Sequence, residues 1–112
     1  MNKIKTINSL EKLEEILNSE IAFLLYFNTT SCSVGEALEP KVRNLIQTSF
    51  PKIIFYTVDL NFSPEIAAKY NAFVEPTIIV FFEGKETIRK SRNIGIFELQ
   101  EAINRPYELI FE

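Results

Sequence analysis

Histidine and tryptophan are absent from this 112-residue chain, cysteine occurs once and glycine three times. Each shortage removes a class of chemistry. Without His there is no Ser-His-Asp or Cys-His pair to activate a nucleophile. His-containing metal sites go with it, and one thiolate cannot build a cysteine-only zinc site. A lone cysteine, Cys32, also rules out any disulfide within the chain. The three glycines do not group into a phosphate-cradling loop, and Gly84-Lys85 lacks the upstream half of a P-loop, so it is expected to be a turn. No long run of one charge exists; the net charge is −3 with acidic and basic residues mixed, which does not favour nucleic acid as a partner. The longest apolar run, Ile21 to Phe27, falls far short of the roughly 20 residues that cross a membrane, so no membrane association is expected. The polar start, Met1 to Glu15, does not resemble an export signal, and with a lone thiol this suggests a reducing cytoplasm.

What is present is a chain of one-domain size with 46% hydrophobic residues and ten Phe to fill a core. Ile4 and Ile7 flank a short extended start. Asn8 is placed to cap a helix over residues 9–18, with Glu11 completing a capping box and Leu10, Leu13, Ile16 and Leu17 at helical spacing. The continuous run Ile21–Phe27 is the pattern of a central strand covered on both faces. A polar loop, Asn28 to Ser33, leads into a helix with Leu38, Val42, Leu45 and Ile46 inward and Pro40 as an expected kink. Ile53–Val58 predicts a second buried strand. Ser63-Pro64-Glu65 predicts a capped helix over 64–70. Pro76 opens a third strand, Thr77–Phe82, which turns at Glu83-Gly84-Lys85 into a partner containing Thr87-Ile88. A last helix is expected from Ile96 to Asn104, stopped by Pro106. The order β-α-β-α-β-α-β-β-α implies a mostly parallel sheet with helices on both sides and an antiparallel edge.

Two segments of this layout bear on function. Cys32 falls between the end of a central strand and the start of a helix, the end of an open α/β sheet where ligands bind and chemistry occurs. Unpaired N–H groups and partial positive charge at a helix start favour a thiolate; a half-buried structural Cys is the alternative. Beyond Asn104, Tyr107, Leu109 and Phe111 alternate with Glu108, Ile110 and Glu112. That spacing suggests an extended tail, residues 105–112, packed back on the domain or paired with another chain. The expected state is therefore a monomer or a tail-mediated dimer.

The motifs resemble those of the thioredoxin family over nearly the whole chain. Phe27-Asn28-Thr29-Thr30-Ser31-Cys32-Ser33-Val34-Gly35, followed by Pro40, resembles the family's active-site loop and kinked helix. Ala72-Phe73-Val74-Glu75-Pro76-Thr77, then Phe82-Glu83-Gly84-Lys85, resembles its cis-proline loop and final hairpin. The resemblance implies a thioredoxin-like three-layer sandwich around a mixed sheet. It implies a cis Pro76 packed beside Cys32, with the backbone of Glu75 pairing with a bound partner. On these grounds Cys32 is the candidate catalytic residue, and Ser31, Ser33, Val34, Glu75 and Pro76 are candidates for partner binding.

Three departures from the family pattern stand out. The Cys-x-x-Cys motif reads Cys32-Ser33-Val34-Gly35, so the resolving thiol is missing. Ser31 replaces the usual aromatic residue, and Tyr26 stands where the family's buried acid is expected. One thiol can form a mixed disulfide, but releasing it needs a thiol from outside. Glutathione or a protein is the expected external thiol, with no bound cofactor or metal. Glu36 and Glu75, if close, oppose the thiolate, and Lys41 lies more than two helical turns along, so weaker activation than in a dithiol enzyme is expected. The competing function is a non-catalytic module that binds a protein or peptide on the same fold.

Overall fold

A computed structural model describes residues 5–29 and 31–111. Ile4, Thr30 and Glu112, which figure in the expectations above, lie outside the described residues. The elements are β1 (Lys5–Thr6), α1 (Leu10–Ser19), β2 (Ala22–Asn28), α2 (Ser33–Ser49), β3 (Ile54–Asp59), α3 (Pro64–Tyr70), β4 (Thr77–Phe82), β5 (Lys85–Ser91) and α4 (Ile96–Phe111). The strands form one sheet in the order β1-β3-β2-β4-β5.

The apolar run of β2 sits at the sheet's centre because both its faces are covered. Leu25 pairs with Tyr56 of β3 on one side and Ile79 of β4 on the other. Phe23, Leu25 and Phe27 point into a core shared with Leu13, Ile16 and Ile66 of α1 and α3. Leu24 and Tyr26 point the other way, into a core with Val42, Ile46, Leu99 and Ile103 of α2 and α4. The period-2 alternation of a strand thus distributes one continuous hydrophobic segment between two layers of helices. β3 runs parallel to β2 and to β1, but β4 and β5 are antiparallel to their neighbours, so the sheet is evenly mixed rather than mostly parallel. Burial pattern carries no direction, so the alternation of elements alone pointed to a mostly parallel sheet, and the mixed sheet implied by the family resemblance is the one observed. The β4–β5 turn places Glu83 and Gly84 at φ 54 and 78, the positive-φ pair of a tight hairpin.

Several local expectations shift. The cap of α1 is Ser9, whose hydroxyl accepts the N–H of Lys12 at 3.1 Å; Asn8 is exposed one position too early, and no capping box forms. At α3, Pro64 takes the first helical position as expected, but the Ser63 hydroxyl makes no capping bond.

The largest correction concerns the end of the chain. Residues 105–111 are not an extended tail: α4 continues through Pro106 to Phe111. Ile103, Tyr107, Ile110 and Phe111 recur at i, i+4, i+7 and i+8 and face the core, while Leu109, which with Tyr107 and Phe111 made up the expected strand face, is left exposed. This last turn packs on its own fold. The Tyr107 hydroxyl accepts the Lys52 N–H at 3.1 Å, and its ring meets Phe50 edge-on at 5.0 Å. Tyr107→Ala is expected to lower stability by about 2 kcal/mol, below the range for a fully buried aromatic because Tyr107 is half-buried. Urea denaturation measures it, and an unchanged midpoint refutes the packing role.

Candidate functional site

The strand β2 delivers the chain to the carboxyl edge of the sheet, and the polar stretch after Asn28 has no apolar residue with which to continue inward. The backbone turns there. The Cys32 N–H donates to the Thr29 carbonyl at 3.2 Å, and the Cys32 carbonyl accepts the Glu36 N–H at 3.0 Å as α2 begins. Cys32 is the N-cap, with extended φ and ψ, and its side chain makes no capping bond. The sulfur is half-buried and in no disulfide. Its chain neighbours Ser31, Ser33 and Val34 are exposed, while Gly35 is buried.

The second half of the site comes from the loop before β4. The Glu75–Pro76 bond is cis, and Pro76 is buried. One oxygen of the Glu75 carboxylate accepts both the Thr29 N–H at 3.0 Å and the Thr29 hydroxyl at 2.8 Å. That pair of bonds ties the loop leading to Cys32 to the loop carrying Pro76, across 46 positions of sequence. The sequence marked Glu75 for its backbone and as a charge opposing the thiolate; the side chain's role as a strap went unseen, because no spacing rule links a Thr to a Glu so distant. Thr29 continues the network to the Ser31 hydroxyl at 2.9 Å, and the Thr77 hydroxyl donates to the Val74 carbonyl. A third loop joins through the Arg92 N–H, which donates to the Pro76 carbonyl at 2.9 Å.

Beneath Cys32 the surroundings are buried. Tyr26 is fully enclosed and donates its hydroxyl to the Gly35 carbonyl at 2.7 Å. Burial pushes the phenol's pKa up, with smaller contributions from Glu39, Cys32 and Glu36, so the hydroxyl stays neutral as a donor. The Glu39 carboxyl is also raised, mainly by burial and further by Glu36, against the pull of Arg43, whose guanidinium lies 3.7 Å away.

Asn28 is the residue that sequence reasoning missed. It is 8% exposed, and its carboxamide lies directly over Gly35. A Cβ placed on Gly35 would stand 2.6 Å from the Asn28 amide nitrogen and closer still to its carbon and oxygen. The nitrogen donates to the Thr29 carbonyl at 2.8 Å, and the oxygen has no partner among the described residues. The volume that a side chain at position 35 needs is therefore already taken.

The arrangement leaves one thiol, and the two segments tied by the Glu75–Thr29 bonds carry exposed apolar groups: Val34 is 62% and Phe73 66% exposed, and Val74 is exposed as well. Among the described residues no cluster of three His, Cys, Asp or Glu is placed to hold a metal ion. No helix of the described residues is long and apolar enough to cross a membrane.

Known proteins share both the sequence and the architecture. The sequence profile of the family described as Thioredoxin matches residues 3–105. The thioredoxin-like protein YdfQ of Bacillus subtilis is 24% identical over 109 residues, spanning 97% of this chain and 96% of its own. Thioredoxin of Mycoplasma genitalium is 30% identical over 101 residues, 90% of this chain and 95% of its own. Among solved structures, Fasciola hepatica thioredoxin superposes with a TM-score of 0.80 at 28% identity, covering 91% of this chain and 98% of its own. Mitochondrial thioredoxin 3 of Saccharomyces cerevisiae superposes at 0.81 with 21% identity, covering 90% and 93%, and supports the fold.

Proposed function

Because the chain belongs to the thioredoxin family, we propose that it acts as a monothiol exchange protein through Cys32. The Cys32 thiolate attacks one sulfur of a partner disulfide, forming a mixed disulfide and expelling the other sulfur as a thiolate. An external thiolate, glutathione or a protein cysteine, then attacks the partner's sulfur. Cys32 leaves as the thiolate, and the partner departs as a new disulfide with the external thiol. Over the cycle one disulfide is exchanged for another with no net oxidation or reduction, so no bound cofactor is required. Such a cycle needs a compartment with an abundant reduced thiol, and the cytoplasm is the natural setting.

The observation that carries this reading is the pairing of a half-buried, uncapped sulfur at the head of α2 with a filled position at Gly35. A sulfur that makes no capping bond can reach a partner, and a side chain three residues on meets the Asn28 carboxamide. Reaction with glutathione disulfide, followed by intact mass, is the test. A single adduct on Cys32 is expected, forming faster than on free cysteine at neutral pH, and Cys32→Ser forms none. A thiol no faster than free cysteine overturns the proposal.

The exposed Val34, Phe73 and Val74 favour a second reading, in which the same face holds a polypeptide without chemistry. Under it, a partner captured by the parent protein stays bound to Cys32→Ser.

A further inference from the structure

Beside the sulfur runs a second feature that the exchange chemistry does not use. A groove of about 670 Å³ lies between the first turns of α2 and the loop joining β5 to α4. Val34, Leu38 and Lys41 line one wall, and Arg92, Ile94 and Glu98 the other. It abuts both arms of the site: Val34 is two residues past Cys32, and Arg92 is held to the Pro76 carbonyl through its N–H at 2.9 Å.

The lining is apolar at its base and cationic at its rim. Val34 is 62% exposed, and Leu38 and Ile94 are half-buried. Lys41 and Arg92 are exposed, and among the described residues neither has a carboxylate within salt-bridge distance, unlike Lys12, Arg43, Lys69 and Arg89. Two unpaired cations against the single carboxylate of Glu98 make this groove locally positive on a chain of net charge −3. Complementary charge at a rim steers encounter and selects partners, while apolar burial at the centre supplies affinity.

We propose that this groove holds a segment of a partner polypeptide that pairs apolar side chains with carboxylates next to its reacting cysteine. Apolar groups rest on Val34, Leu38 and Ile94, and the carboxylates face Lys41 and Arg92. A small polar thiol such as glutathione satisfies the cations but leaves the apolar base uncovered, which is why a polypeptide is favoured. The inference rests on the exchange function proposed above and specifies its substrate class.

Binding and chemistry are separable in the test. Full-length Cys32→Ser is titrated, by fluorescence anisotropy, with a labelled octapeptide in which leucines and glutamates flank a serine, and with its lysine counterpart. The acidic peptide is expected to bind at least fivefold more tightly than the basic one. Adding Lys41→Gln and Arg92→Gln, both at exposed positions, is expected to weaken the acidic peptide about five- to tenfold, and so is raised salt. Equal binding of the two peptides, or no change on neutralising the pair, overturns the inference. Displacement of the acidic peptide by equimolar reduced glutathione overturns it too, and assigns the groove to a small thiol. In parallel, the parent protein reacts with the cysteine versions of the peptides as activated disulfides. If the peptides bind selectively but Cys32 fails to react, the groove stands and the exchange function falls; if Cys32 reacts with both at one rate and binding is unselective, the reverse holds.

Discussion

Gly35→Cys, the substitution that supplies the missing thiol, is expected to destabilise the protein by about 3 kcal/mol and to leave its two sulfurs reluctant to join. The reason is spatial. A β-carbon at position 35 enters the Asn28 carboxamide, which is itself buried between α2 and the sheet. Gly35→Ala is the diagnostic companion. In the interior of a helix, Ala normally outdoes Gly by about 0.5–1 kcal/mol. Gly35 has no positive φ to explain its choice, so a loss on Gly35→Ala isolates the clash. Trimming Asn28 to Ala in the Gly35→Cys background removes the obstruction together with an oxygen that has no partner among the described residues. The double variant is expected to regain most of the lost stability. On treatment with diamide its two thiols should each give up a hydrogen to the reagent and close a disulfide between positions 32 and 35. Urea denaturation and thiol titration after oxidation read both effects. A single Gly35→Cys variant as stable and as readily oxidised as the double one would show that Asn28 is no barrier.

Tyr26→Asp, which returns a buried acid to the strand, is expected to cost about 5 kcal/mol or more at neutral pH. Tyr26 is fully buried, stacks on Phe55 at 5.9 Å and donates to the Gly35 carbonyl. Losing a large aromatic in such a place costs about 3–5 kcal/mol, and an unpaired buried carboxylate adds several more. Against a total stability of about 5–15 kcal/mol for a domain, this variant is largely unfolded at pH 7. Burial, Glu39 and Glu36 already raise the pKa of the phenol at this position, and the same surroundings raise that of an Asp. A carboxyl whose pKa is higher folded than unfolded binds its proton more tightly in the native state. The variant is therefore most stable at acid pH and loses stability as pH rises from the unfolded value through the folded one. Tyr26→Phe, which removes only the hydroxyl, is expected to cost about 1 kcal/mol with no such pH dependence. Circular dichroism during urea titration at pH 4 and pH 7 distinguishes the two; a Tyr26→Asp protein equally stable at both contradicts the account.

Both variants concern positions whose meaning was only half legible in the sequence. That Tyr26 is buried follows from its place in an unbroken apolar run, and that Gly35 lacks a thiol follows from its identity. That the carboxamide of Asn28 lies over Gly35 follows from neither, because it depends on how β2 ends against the first turn of α2. Glu75 is a similar case: its proximity to proline was readable, while its two bonds to Thr29 arise only when loops 46 positions apart meet. The end of α4 was misread because Tyr107, Leu109 and Phe111 alternate as in a strand while Tyr107, Ile110 and Phe111 keep helical spacing, and over so short a stretch Pro106 tipped the expectation away from the helix. Packing against Phe50 and Lys52 decided for the helix.

From the amino acids alone, then, came the order of strands and helices, a sheet covered on both faces, and a chemistry limited to one sulfur. Those follow from local periodicity and from which atoms the chain contains, and neither needs a distant neighbour. Tertiary structure alone decided the Glu75 strap, the carboxamide that fills the space above Gly35, and the cationic groove beside Cys32. Each depends on groups far apart in sequence meeting in space, and a linear pattern holds no record of such distances.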